Sequence, residues 1–342
     1  MNVEVSVPGK IMLSGEYAVL NGGKALATTI DRSLRVVAEK RAPGTGCIIN
    51  SDLWANSIHK SKQDFDQYID KEKAEEPLID SVLKFGSIYN LTDLKISVKS
   101  SIEIQWGIGS SSALRLGVGA AIKQLSLSTP ATNDWEVPKE AWKQQLEWQG
   151  KASGYDIAAQ FLGGVVAFEH DSRRTWPGTT TKLKAGRPLE TYLEVFIGGA
   201  GAPTTSTTQT TREWLQTNQR NEKLIVLSQS LNNGFEKVLA SENNLLLEDV
   251  LIPAVSKHRK FFSSSPLFPS HLSQKLDEIS GIDQLWSWKT TGAGGEDAIL
   301  VVGSKENRKI AYAALQQLGW KPLPASFSSQ GLKISNTNRS TS

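Results

Sequence analysis

A short loop in the first half of the chain combines glycines and serines in a pattern that suits phosphate binding. It consists of Gly107, Ile108, Gly109, Ser110, Ser111 and Ser112, and an apolar run follows it. If a helix begins near Ser110 or Ser111, its free N–H groups and the positive end of its dipole converge on the glycine turn. The glycines let the backbone approach a phosphate closely, and the Ser111 hydroxyl could contact a magnesium ion. A serine-capped helix after a glycine turn is the alternative interpretation.

A second glycine-rich loop lies near the C-terminus, before a hydrophobic stretch that predicts a strand. Its sequence is Lys289-Thr-Thr-Gly-Ala-Gly-Gly-Glu296, and its small residues are Gly292, Ala293, Gly294 and Gly295. We interpret it as a backbone surface that packs against the first loop and closes a nucleotide site. A flexible hairpin connection is the alternative interpretation.

Asp156 and Lys10 are the candidates for proton chemistry. Asp156 ends the stretch Gln149-Gly-Lys-Ala-Ser-Gly-Tyr-Asp156, where its carboxylate could orient or deprotonate an acceptor group. Lys10 follows the Pro8-Gly9 turn and could keep that carboxylate ionised. Ser153 and Asp156 also have the S-x-x-D spacing of a capping box, so Asp156 could instead satisfy a helix terminus.

The predicted strands and helices that must position these residues are mixed along the chain without a regular βαβα order, which indicates an α+β protein of two lobes. We place an N-terminal lobe, which binds the nucleotide, at residues 1–185 and a C-terminal lobe at residues 186–334. Residues 335–342 contain no apolar side chain and are predicted to be a disordered tail. The charges of residues 60–76 alternate in sign, which predicts a solvated connector.

The composition excludes several classes of function. A net charge of +3 without a basic block argues against nucleic-acid binding. No segment approaches the roughly eighteen apolar residues that span a bilayer, and the N-terminus lacks a signal-peptide pattern. A single cysteine, Cys47, fits a reducing compartment, so we expect a cytoplasmic protein that does not act at membranes. The four histidines lack the spacing of a zinc or iron site, and no feature sets the oligomeric state.

Taken together, the three stretches resemble the GHMP kinase superfamily, which is named for galactokinase, homoserine kinase, mevalonate kinase and phosphomevalonate kinase. The run from Pro8 to Val19 is similar to its first motif, Gly107 to Ala113 to its phosphate loop, and Lys289 to Gly295 to its third motif. The resemblance implies a ribosomal-protein-S5-like N-terminal lobe and a ferredoxin-like C-terminal lobe. It also implies that ATP, with Mg²⁺, and a small-molecule substrate bind between the two lobes.

The resemblance also implies roles for single residues. Lys10 and Asp156 match the catalytic lysine and aspartate of the family, and Ser111 and Glu16 are the expected metal contacts. The expected acceptor-binding residues are Lys10, Tyr17, Ser153, Gly154, Tyr155 and Asp156. Basic residues for a phosphorylated acceptor are available in Lys151, Arg173 and Arg174. The run Gly201-Ala-Pro-Thr-Thr-Ser-Thr-Thr208 is similar to a Ser/Thr-rich loop of these kinases, or it is a low-complexity linker.

Three departures from the family pattern affect the substrate and the metal. Gln149-Gly150 replaces the His-Gly of mevalonate kinases and is more similar to phosphomevalonate kinases. Gln145 stands where mevalonate kinases carry a magnesium-binding glutamate. Glu296-Asp297 replaces a further small residue in the third motif. We therefore expect a kinase for phosphomevalonate or mevalonate; another GHMP kinase, for a sugar or homoserine, and a non-catalytic nucleotide-binding regulator are the alternatives.

Overall fold

The computed structural model describes residues 2–68, 76–127, 134–169, 175–198, 204–217, 219–241, 245–266, 268–292, 294–295 and 297–337 of the protein. Its strands are β1 (Asn2–Ser14), β2 (Lys24–Lys40), β3 (Cys47–Ser51), β4 (Ile58–Lys60), β5 (Leu94–Ser100), β6 (Val165–Glu169), β7 (Thr179–Leu183), β8 (Leu193–Ile197), β9 (Trp286–Thr290), β10 (Ala298–Gly303), β11 (Lys321–Pro322), β12 (Phe327–Ser328) and β13 (Lys333–Thr337). Its α-helices are α1 (Lys62–Tyr68), α2 (Pro77–Ile88), α3 (Ser110–Ser126), α4 (Glu136–Gln149), α5 (Tyr155–Leu162), α6 (Thr204–Leu215), α7 (Arg220–Ala240), α8 (Ile252–Phe262), α9 (Ser270–Asp277) and α10 (Lys305–Gln317).

The larger sheet forms the N-terminal lobe. Its main strand order is β13-β1-β2-β5-β3-β4, and β12 and β6 also pair with β2. Helix α3 packs on this sheet through Gly117 and on α2 through Gly119, because a Cβ on Gly117 would lie 3.0 Å from Val36 and one on Gly119 would lie 2.4 Å from the ring of Phe85. This close packing is therefore required for the position of α3, and that position places its first turn at the phosphate-type loop.

The smaller sheet forms the C-terminal lobe. Its four strands are antiparallel in the order β11-β8-β10-β9. Taken in chain order this is 4-1-3-2, with helices between β8 and β9 and between β10 and β11. The arrangement is that of a ferredoxin-like lobe, and the predicted α+β fold with two lobes is confirmed. Among the described residues, no helix combines the length and the apolarity needed to cross a lipid bilayer.

The end of the chain returns to the N-terminal sheet, which differs from the sequence prediction. β13 pairs with β1 over residues 333–337, and β12 pairs with β2. Residues 335–337 thus form a strand where a disordered tail was expected, because the exposed edge of β1 offers them hydrogen-bond partners. Residues 338–342 lie outside the described part. The predicted boundary near residue 185 falls between β7 and β8 and stays a prediction.

The expected connector at residues 60–76 is also partly helical. Helix α1 occupies residues 62–68 and buries Phe65 and Tyr68. The Tyr68 hydroxyl donates a hydrogen bond of 2.5 Å to the buried carboxylate of Asp80 on α2. The alternating charges therefore mark the solvent side of a helix whose two aromatic side chains anchor it to the core, and the charge pattern alone could not reveal that.

Candidate active site

A cleft of about 520 Å³ lies where the two lobes meet. Its lining brings together most of the residues predicted from the sequence: Lys10, Tyr17, Gly107, Gly109, Ser110, Ser111, Ser112, Ser153, Gly154, Tyr155, Asp156 and Gly292. Ile108 is buried behind them. Ala293 and the residues Arg173 and Arg174 lie outside the described part of the chain. The first glycine loop, the lysine and the aspartate therefore share one cavity, as the sequence interpretation requires.

The first glycine loop has a backbone that needs its glycines. Gly107 and Gly109 adopt φ angles of 65° and 88°, in the left-handed region that other residues rarely enter. A Cβ on Gly109 would also lie 3.0 Å from Lys10 Cγ and from Gln160 Nε2. Gln160 of α5 donates a hydrogen bond of 2.8 Å to the Gly109 carbonyl, and this bond fixes the loop to α5.

Helix α3 starts at Ser110, immediately after that turn. Its first N–H groups have no partner within the helix and face the loop, which creates a site for an anion. The Ser112 hydroxyl turns inward and bonds the Gly109 carbonyl at 3.1 Å. Ser111 is exposed, and its hydroxyl accepts a hydrogen bond from the buried guanidinium of Arg115. Ser111 therefore has a fixed orientation and keeps lone-pair capacity toward the cleft.

Lys10 connects the loop with the aspartate. The β1–β2 register shifts between Pro8 and Lys10, and this irregularity lets the Lys10 amide bond the Ile108 carbonyl at 2.8 Å. The Lys10 ammonium donates to the Gly107 carbonyl at 3.3 Å and lies 5.3 Å from the centre of the Tyr155 ring. Burial by itself lowers the pKa of Lys10, but the neighbouring Tyr155 and Asp156 outweigh burial and raise this pKa above its ordinary value. Lys10 thus stays charged inside the cleft.

The loop before Asp156 is held by two tryptophans. Trp142 and Trp176 stack with ring centres 5.5 Å apart, and their indole N–H groups donate to the carbonyls of Ala152 and Ser153, each at 3.0 Å. Gly154 has a φ of 78°, and a Cβ there would lie 2.6 Å from atoms of both rings. The tryptophans and this glycine together fix where α5 begins.

Asp156 lies in the first turn of α5 and lines the cleft. The helix is preceded by Gly154 as its N-cap, with no side-chain capping bond, so the capping box that its spacing allows does not form. The Asp156 carboxylate instead accepts a hydrogen bond of 2.9 Å from Gln145 on α4. The other polar atom of that side chain, Gln145 Oε1, is buried without a hydrogen-bond partner. Asp156 is therefore oriented by a neutral amide and remains available to a ligand.

The third-motif loop packs against the first loop, as the sequence interpretation expects. A Cβ on Gly292 would lie 3.9 Å from the Gly107 carbonyl oxygen, and the Thr291 hydroxyl donates to the Met12 carbonyl at 2.8 Å. Gly294 lines a small neighbouring pocket, and a Cβ added to Gly295 would meet nothing within 4 Å. Of the three described small residues of this loop, which are Gly292, Gly294 and Gly295, Gly292 lines the cleft.

Glu16 occupies a different environment from the one expected of a metal contact. Its carboxylate is 3 % exposed, it is ion-paired with Lys289, and it lies 3.6 Å from Nε2 of His258. Glu16 is absent from the cleft lining. The Lys289 ammonium neutralises this carboxylate, so the structure places Glu16 in an ion pair between the lobes and not in the cleft where a metal contact was expected. Burial, followed by the charge of Lys289, lowers the pKa of His258 well below its ordinary value, so this histidine is neutral.

The oxygen donors of the cleft fit a hard cation such as Mg²⁺. Asp156 and Asp297 supply carboxylates, and Oδ1 of Asp297 is buried without a hydrogen-bond partner. Within the described residues no group of three or more histidine, cysteine or acidic side chains forms a metal cage. Magnesium is commonly held by one or two carboxylates together with substrate phosphates, so the cleft suits a cation that arrives with a nucleotide.

Two basic residues line the acceptor end of the cleft. Lys151 lies there as the sequence analysis suggested, and Arg212 of α6, which that analysis missed, joins it. Arg212 donates to the Lys151 carbonyl at 3.2 Å, while its Nε is buried without a hydrogen-bond partner. In the Ser/Thr-rich run of residues 201–208, residues 201–203 lie outside the described part of the chain. The remainder, from Thr204, forms the beginning of α6.

A family model and individual relatives agree on what the chain is similar to. Residues 77–164 match the family described as the GHMP kinases N terminal domain. A mevalonate kinase of Pyrococcus furiosus is 26 % identical over 355 residues, and the match covers 98 % of each chain. The predicted resemblance to the GHMP kinase superfamily is therefore confirmed.

Solved structures extend the likeness to the whole fold. The phosphomevalonate kinase of Streptococcus pneumoniae, solved in complex with phosphomevalonate and AMPPNP, matches with a TM-score of 0.72 at 18 % identity, over 95 % of this chain and 99 % of that one. The mevalonate kinase of Methanococcus jannaschii matches with a TM-score of 0.71 at 17 % identity, over 95 % and 98 % of the two chains. These structures share both lobes with the protein.

Proposed function

We propose that this chain, whose sequence and fold both match GHMP kinases, is an ATP-dependent kinase that phosphorylates phosphomevalonate or mevalonate. The observation that carries the proposal is the position of Lys10. Its ammonium contacts the carbonyl of Gly107 in the phosphate-type loop and lies near Asp156 in the same cleft. A donor phosphate on the loop and an acceptor at Asp156 would therefore face each other across one lysine.

Catalysis of phosphoryl transfer depends mainly on positioning the donor and acceptor and on stabilising the negative charge of the transition state, and the cleft residues can do both. The N–H groups at the start of α3 and the glycine backbone bind the phosphates of ATP. Lys10 neutralises negative charge that develops between donor and acceptor. A magnesium ion, when bound, supplies further neutralisation of the phosphate oxygens, and Ser111 is the hydroxyl that we propose for it.

Asp156 acts on the acceptor. Gln145 fixes the carboxylate by donating to one of its oxygens, which leaves the other oxygen for the reacting group. With a hydroxyl acceptor, Asp156 orients the oxygen and takes its proton. With a phosphate acceptor, which is already anionic, orientation is its larger contribution.

The charge at the acceptor end favours phosphomevalonate over mevalonate. Lys151 and Arg212 line this end of the cleft, and Arg212 keeps one buried N–H donor without a partner. Guanidinium groups bind phosphate with charge-assisted hydrogen bonds. The proposed location is the cytoplasm, where Cys47, which is buried and has its pKa raised to about 12 by burial, stays a thiol.

A panel of acceptors tests the proposal. ADP formation is followed with ATP, Mg²⁺ and, in turn, phosphomevalonate, mevalonate, galactose and homoserine, for the natural protein and for Asp156→Asn. We expect turnover with phosphomevalonate or mevalonate, and a loss of about 10²- to 10⁴-fold in kcat for the variant, with ATP binding retained. ADP formation with a sugar or homoserine only would point to another GHMP kinase. ATP binding without turnover of any acceptor would indicate the regulator, and near-normal turnover of folded Asp156→Asn would remove Asp156 from the mechanism.

A further inference from the structure

Asp297 is a carboxylate placed at the phosphate-type loop. It directly precedes β10, and its backbone carbonyl accepts a hydrogen bond of 3.2 Å from the Gly198 amide. One carboxylate oxygen would lie 3.1 Å from a Cβ on Gly107. The other oxygen, Oδ1, is buried without a hydrogen-bond partner, and the residue lines the cleft. The β8–β10 pairing therefore places the Asp297 carboxylate, which has an oxygen without a hydrogen-bond partner, beside the backbone that we propose to bind phosphate.

A carboxylate in this position opposes the binding of a bare polyphosphate. Both groups are anionic, and burial strengthens their repulsion. Lys10 is the nearby cation, but its ammonium also serves Tyr155, Asp156 and the Gly107 carbonyl. Lys10 is shared among these groups, and the other cations of the lining, Lys151 and Arg212, lie at the acceptor end, so we expect the charge of Asp297 beside a triphosphate to be only partly compensated.

A divalent cation would reduce the repulsion between the Asp297 carboxylate and a bound triphosphate. Hard cations prefer carboxylate and phosphate oxygens and can bridge them. Across the cleft, Gln145 offers an amide whose N–H group is already bonded to Asp156, so α4 contributes no carboxylate at residue 145. Among the described residues of the third-motif loop, Asp297 is the acid that lies beside Gly107.

We propose that Asp297 provides a carboxylate for the divalent cation that accompanies the nucleotide, and thereby couples nucleotide binding to the metal. This inference rests on the proposed function, because it assumes that the cleft binds ATP. A divalent cation bound at the Asp297 carboxylate would neutralise its charge. In the absence of metal the same carboxylate disfavours the triphosphate.

The test measures ATP binding by titration calorimetry, without acceptor, in excess Mg²⁺ and in EDTA. The proteins are the natural chain, Asp297→Asn, and the control Asp249→Asn, which removes the same charge from an exposed position outside the cleft. We expect the natural chain and the control to prefer Mg-ATP strongly. In Asp297→Asn the ratio of the two affinities should fall at least about tenfold, as is typical when a metal site loses a supporting group, with tighter binding of metal-free ATP.

A second readout follows the cation directly. Mn²⁺ replaces Mg²⁺ in the presence of ATP, and the electron paramagnetic resonance spectrum of bound Mn²⁺ should change in Asp297→Asn and stay unchanged in the control. If the natural chain binds ATP with Mg²⁺ but the affinity ratio and the spectrum are the same in Asp297→Asn, the role of Asp297 is refuted while the kinase proposal stands. If the natural chain binds no ATP under either condition, both proposals fail.

Discussion

Two glycines close to the catalytic loop allow a test of how tightly the tryptophan pair fixes Asp156. Gly150 and Gly154 both have positive φ angles, of 68° and 78°. An added Cβ would meet nothing within 4 Å at Gly150, whereas at Gly154 it would lie 2.6 Å from atoms of Trp142 and Trp176. Substituting each by alanine therefore applies a similar backbone strain and differs in the clash.

The magnitude follows from these contacts. The left-handed backbone costs alanine about 1 kcal/mol at either position. At Gly154 the methyl group must also displace an indole, which forfeits one N–H···O bond of about 1 kcal/mol and an aromatic pair of similar value. Gly154→Ala should thus lower the free energy of unfolding by about 3 kcal/mol and Gly150→Ala by about 1 kcal/mol.

Urea denaturation of both variants measures this difference, and steady-state kinetics measures its effect on Asp156. Because the loop leads directly into α5, we expect kcat of Gly154→Ala to fall by about 100-fold, as a displacement of about 1 Å can cause, while Gly150→Ala keeps most of its activity. Equal losses of stability in the two variants would show that the tryptophan pair yields easily and would refute the reasoning.

Two further predictions concern the acceptor and the lobe interface. Arg212→Gln should raise KM for phosphomevalonate about tenfold or more, since a charge-assisted hydrogen bond contributes about 1.5–3 kcal/mol, and it should leave KM for mevalonate nearly unchanged. The control is Arg220→Gln, which removes a guanidinium stacked on Trp214 outside the cleft. Equal effects of Arg212→Gln on the two substrates would contradict the proposal that Arg212 binds the acceptor phosphate. The pKa of His258 is depressed in the folded state, so the unfolded state binds more protons below pH 6.5 and stability falls as the pH drops. Between pH 7.5 and 5.5 this group should cost about 1.4 kcal/mol of unfolding free energy, and a His258→Gln variant that shows the same pH dependence in urea denaturation would argue against it.

The sequence predicts the parts of the site that depend on local backbone geometry. Gly107 and Gly109 are recognisable because a tight turn before a helix restricts the residue type, and their φ angles show that restriction. Helix α3 starts at Ser110, where the turn predicts it. The loop before Asp156 is likewise recognisable from its glycine and aspartate, although the spacing alone leaves the capping box open.

The features that the sequence hides are contacts between distant residues. The sequence around Glu16 does not reveal that its carboxylate forms an ion pair with Lys289, which lies far along the chain. Arg212 reaches the cleft because α6 packs beside the Asp156 loop, and no local pattern marks it. Asp297 is visible as a departure from the third motif, but its meaning depends on the position of Gly107.

The return of the chain to the first sheet makes the N-terminal lobe discontinuous. Leu332 donates its amide to the Gln160 carbonyl at 2.9 Å, and Gln160 holds Gly109. A fragment that stops near residue 185 would lack β12, β13 and this brace under the phosphate-type loop. Because the polypeptide passes between the lobes twice, any opening of the cleft involves both connections at once.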